Sequence, residues 1–108
     1  METTAYAITR TLDASFEETV ERVTAALSAE GFGVLTTIDV TATLKQKLGR
    51  DLEPYVILGA CNAQLASRGL EIEPDLGVLL PCNVVVRRQA GQTKIAAMEP
   101  LAAMRLAG

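Results

Sequence analysis

The chain has 108 residues, 49% of them hydrophobic, and a formal net charge of −3, which suits one domain over residues 1–108 with a single aliphatic core. Its ten basic residues are scattered and its aromatics are few, so the basic stripe with interleaved aromatics used by nucleic-acid binders is missing. Histidine is absent, which excludes Ser-His and Cys-His nucleophile schemes within one chain and removes the commonest metal ligand.

Residues 4–12 place Tyr6, Ile8 and Leu12 on one parity and predict a strand. Ser15 stands three residues before Glu18, the spacing of a capping box, and opens a helix whose apolar face is Phe16, Val20, Val23 and Leu27. Glu17, Glu18, Glu21 and Arg22 face away, and Gly31 ends the helix where a left-handed turn disfavours a Cβ. A strand follows over 32–40, with Phe32, Val34, Ile38 and Val40 on one face, alternating against Gly33, Thr37 and Asp39. Asp39 or Thr41 caps a short helix over 42–48, which Gly49 closes. Pro54 opens an apolar strand that ends at Cys61. Asn62 caps a helix over 63–73, and Pro74 stops it. The run 77–86 predicts a long strand in which Pro81, lacking an amide donor, marks a bulge or an edge. A loop over 88–92 leads into a last strand over 93–99, and residues 100–108 form a short tail. Continuous apolar runs at 55–61 and 78–86 point to strands covered on both faces, or to a dimer seam.

The N-terminus lacks a basic segment followed by an apolar run, and no stretch approaches the ~20 apolar residues of a membrane span. A cytoplasmic protein without membrane contact is therefore expected. In that compartment Cys61 and Cys82 are expected as free thiols rather than a structural disulfide.

The segments GFGVLTTIDV, TLKQKLG, PYVILGACN and LLPCNVVV resemble, in order and spacing, the microbial family known as domain of unknown function 302. The resemblance runs from about residue 4 to Pro100. It implies an α+β fold of two layers, a curved and mostly antiparallel sheet of about five strands with helices on one side. The implied topology is TATA-binding-protein-like, β-α-β-β-β-β, with short helical insertions. Relatives continue into a further C-terminal helix, which this chain is expected to lack or to hold truncated, leaving apolar surface for self-association. The family implies no activity, and so no catalytic residues and no cofactor.

Two constellations invite chemistry. The first is the repeated pair Cys61-Asn62 and Cys82-Asn83, each after apolar strand residues. Cys61 precedes a helix start, a position that suits a reactive thiol, and the crossover between the two strands is expected to make the thiols neighbours. The simpler reading ranks ahead of it: two packed hydrophobes, with Asn62 a cap and Asn83 a turn or bulge residue. A zinc ion held by two thiolates alone is two ligands short. The second constellation is Asp39, Thr41, Thr43, Lys45 and Lys47 around a helix start, which offers amides and charge to an anion or other ligand. Capping plus a solvated basic face again ranks first. No carboxylate pair suits acid–base work, and GFG at 31–33 is too short for a phosphate loop. The leading expectation is a non-enzymatic binding or assembly module acting as a homodimer. A thiol-based redox or soft-metal site is the alternative, and a ligand pocket between sheet and helices comes third.

Overall fold

The computed structural model describes residues 2–99. Its strands are β1 (Glu2–Thr3), β2 (Ala7–Leu12), β3 (Gly33–Asp39), β4 (Tyr55–Cys61), β5 (Cys82–Gln89) and β6 (Gln92–Met98). Its α-helices are α1 (Phe16–Ala29), α2 (Val40–Leu48) and α3 (Ala63–Ile72), and a 3-10 helix covers Pro74–Leu79.

Local chemistry sets the helix ends. The Ser15 side chain accepts from the Glu18 amide at 3.1 Å, Asp39 from Ala42 at 2.9 Å and Asn62 from Leu65 at 3.1 Å, so each helix start gains one partner for its orphan donors. At the end of α2, Gly49 takes φ 66°, its amide donates to the Lys45 carbonyl and that of Arg50 to the Leu44 carbonyl.

The six strands form one antiparallel sheet in the order β1-β2-β6-β5-β4-β3. One face carries the core: Val56, Leu58, Val84 and Val86 are buried, with Phe16, Val20, Val23 and Leu27 of α1 packed on them. The apolar stripe read from the sequence is therefore the surface that α1 buries. Setting aside β1 and the helical excursions α2, α3 and the 3-10 helix, the order reads β-α-β-β-β-β. This is an α+β architecture, with one strand more than the five expected. No helix among the described residues is long and apolar enough to cross a membrane.

Three expectations need correction. The first strand does not start at residue 4: Thr4 Oγ1 accepts from the amides of Tyr6 and Ala7, and the chain turns there between β1 and β2. The strand expected over 77–86 spans Cys82–Gln89 instead, because residues 74–79 coil into a 3-10 helix and the ladder starts only past Pro81. Val34 and Ile38 do not share a face. A bulge between Val34 and Thr36 inserts one residue, so Val34 pairs with Ala60 on the core side while Ile38 pairs with Ile57 on the other. The tail expected over 100–108 lies outside the described residues.

Candidate functional site

Strand geometry sends alternate side chains to opposite faces, so the register decides which candidates can meet. Cys82 pairs with Ala60, a buried residue of the core face, whereas Cys61 follows Ala60 and pairs with Gly33 on the second face. The two thiols project to opposite sides of the sheet. The expectation that the crossover makes them neighbours is thus corrected: side chains pointing apart cannot be bridged without moving the backbone. Both cysteines are free, Cys61 half-buried and Cys82 exposed. Asn62 is the cap of α3, and Asn83 lies within β5 opposite Gly59, in regular register rather than in a turn or bulge. Among the described residues no three His, Cys, Asp or Glu side chains gather as metal ligands do.

The second constellation converges only in part. A cleft of about 500 Å³ between α1 and α2 is lined by Asp39, Thr41 and Lys45 together with Phe16, Val20 and Val56. Lys47 and Asn62 are not among its walls. Glu17, Thr37 and Tyr55 line it as well, but the three polar groups expected there already have partners. Asp39 caps α2, and Thr41 Oγ1 donates to the Glu53 carbonyl at 3.0 Å while accepting from the Tyr55 amide at 2.9 Å. Lys45 Nζ lies 2.8 Å from Asp51 Oδ1 in a solvated ion pair. The geometry fastens α2 to the start of β4 and leaves Asp39, Thr41 and Lys45 little free polar capacity for a ligand.

The second face of the sheet is different. Its pairing places Ile38, Ile57, Val85, Ala96 and Thr9 side by side in one row across five strands. One step along, Tyr55, Arg87, Lys94 and Thr11 form a parallel row with two cations in direct opposition. A step the other way lie Thr36, Gly59 and Asn83. Over β2, β5 and β6 these rows frame a cleft of about 430 Å³, walled by strand residues and the β1–β2 turn with no helical residue among them. Ile38 is 48% exposed, and Ile57, Val85 and Ala96 are only half-buried. Ile38 is the exposed member of this row on the side away from α1, and the other three keep only part of their surface in water.

Sequence reasoning missed Tyr6, Tyr55, Arg87 and Lys94 as members of one surface. The signal was present as parity: Arg87 lies two residues from Val85, and Lys94 two from Ala96, across a short hairpin. Only the register of that hairpin sets the two cations against each other.

The family model described as "Domain of unknown function DUF302" matches residues 8–108 of the chain. A solved structure, the uncharacterized conserved protein DUF302 from Bacillus stearothermophilus, is 36% identical to it in sequence. The superposition has a TM-score of 0.80 and covers 94% of this chain and 87% of that one. No curated protein matches the chain.

Proposed function

The chain belongs to the DUF302 family, and we propose that it is a non-enzymatic binding and assembly module that works as a homodimer through the second face of its sheet. The observation that carries this reading is the row Ile38, Ile57, Val85 and Ala96 on the face away from α1. Alternation explains why one parity of β4 and β5 is apolar, since those residues meet α1. It gives no reason for the apolar residues on the other parity unless a second apolar surface covers them.

Five strands about 4.8 Å apart and roughly six residues long give a flat face of about 24 by 20 Å, or about 480 Å². That is a little over half of the roughly 800 Å² per partner of a standard interface, the size of a small one. Two such faces stack at about 10 Å with their side chains interdigitated. The module is assigned to the cytoplasm, in keeping with its two free cysteines.

Size-exclusion chromatography with light scattering tests the proposal. A dimer is expected at micromolar concentration, and Ile38→Glu, a change at a half-exposed edge-strand position, is expected to yield a monomer with unchanged circular dichroism. A wild-type chain that stays monomeric across that range would sink the reading.

A further inference from the structure

Beyond assembly, we infer that the basic end of this face is a subsite for a small amphipathic monocarboxylate, with Arg87 and Lys94 on the carboxylate and Val85, Ala96 and Met98 under its apolar body.

The argument begins with an arrangement that is unfavourable without a ligand. Arg87 and Lys94 are register partners on neighbouring antiparallel strands, and both point to the second face. Like charges directly opposite each other destabilise a strand pair. Both side chains are half-buried, which weakens the water screening that makes such pairs harmless at an open surface. Neither forms an ion pair within the described residues, where the salt bridge is Lys45–Asp51. One Arg87 nitrogen, Nη1, donates to Gln89 Oε1 at 2.9 Å, and the rest of the guanidinium fork remains for an acceptor. A planar carboxylate matches that fork, and the ammonium of Lys94 supplies a second charge beside it.

The remaining walls select the rest of the molecule. Tyr6, Tyr55, Val85, Ala96 and Met98 offer ring faces and aliphatic surface, with Asn83 and two threonines as the other polar groups. Val85, Ala96 and Met98 give a hydrocarbon body a surface on which it is desolvated at a gain. The volume, about 430 Å³, falls within the roughly 300–1,000 Å³ typical of small-molecule sites. Val85 and Ala96 belong both to the proposed seam and to the cleft lining, whereas Ile38 and Ile57 do not line it, so a second copy seated on the whole row would cover part of the subsite.

Tyrosine emission gives a label-free readout, because the chain has two tyrosines and no tryptophan, and both tyrosines line the cleft. The full chain and its Ile38→Glu variant are titrated with decanoate below its micelle concentration, with decanol, and with acetate. Saturable binding of decanoate is expected. Decanol and acetate should each bind about tenfold or more weaker, and Arg87→Gln or Lys94→Gln should raise the decanoate Kd by about tenfold, since each removes a charge-assisted contact. Equal binding of decanol would make the charge irrelevant, and equal binding of acetate would reduce the site to a counter-ion patch. Either result overturns the assignment, as does an unchanged Kd in both glutamine variants. Binding by Ile38→Glu alone would support it, with a second copy covering the cleft in the wild type. Silence in both proteins would reject it. Light scattering on the same samples keeps the readings apart: a monomer that binds decanoate sinks only the seam, and a dimer whose Ile38→Glu variant does not bind sinks only the subsite.

Discussion

Thr93 Oγ1 donates to the carbonyl of Ala14 at 2.6 Å, tying β6 to the turn that launches α1 across 79 residues of sequence. Arg88 completes the latch, its Nη1 donating to Thr93 Oγ1 at 2.9 Å and to the same carbonyl at 3.2 Å. Thr93 is fully buried, so the three groups satisfy one another where water does not reach Thr93. The latch fixes where α1 begins relative to the hairpin, and thus how its apolar stripe meets Val84 and Val86.

Thr93→Val keeps the shape and deletes the hydroxyl. The Arg88–Thr93 bond is lost and the Ala14 carbonyl keeps only the longer contact, at a cost of about 1–3 kcal/mol for groups left short of a partner. A domain of this size loses about 4–8 °C of Tm per kcal/mol, which a thermal melt reads directly. Thr93→Ser, which retains the donor, should fall less. Equal melting of Thr93→Val and wild type would show that the latch is energetically idle.

Gly59→Ala should destabilise for a steric reason. A Cβ at this position runs into Thr36 Oγ1 and lies 2.8 Å from Pro81 Cγ. Overpacking of this kind costs about 1–3 kcal/mol. Thr36→Ala in the same chain should restore part of the loss, and the Pro81 contact accounts for the remainder. Denaturant midpoints of the single and double variants give the comparison, and no recovery in the double variant would shift the cause from Thr36 to Pro81.

Asn62→Ala removes the acceptor for the Leu65 amide at the start of α3. The expected loss is about 0.5–2 kcal/mol, the range measured for helix caps, with Asn62→Asp or Asn62→Ser close to wild type. The same ranking in chemical denaturation identifies Asn62 as a cap. A role in chemistry at Cys61 would instead leave stability unmoved.

The thiols should behave independently. Because Cys61 and Cys82 leave the sheet on opposite faces, mild oxidation of the folded monomer should leave two titratable thiols and no loss of two hydrogens in the intact mass. Exposed Cys82 should react with an alkylating reagent before half-buried Cys61. An internal disulfide formed without unfolding would contradict the register of β4 and β5.

Short-range physics was readable from the chain. The Ser15 cap, the stripe Phe16–Val20–Val23–Leu27, the caps at Asp39 and Asn62 and the glycine that closes α2 each depend on residues within a few positions of one another. The fold class was readable too, because alternation and helical spacing announce which face needs covering. What the chain alone left open was parity across strands. One bulge at Leu35 turns Ile38 from the core to the second face, and the ladder that begins only at Cys82 sends the two thiols apart. The register of the β5–β6 hairpin sets Arg87 against Lys94, and the longer-range pairing of β3, β4 and β5 aligns Ile38 and Ile57 with Val85 and Ala96. A slip of one residue reverses every side chain of a strand, and the hydrogen bonds that forbid the slip join segments far apart in sequence, so only the folded sheet decides it.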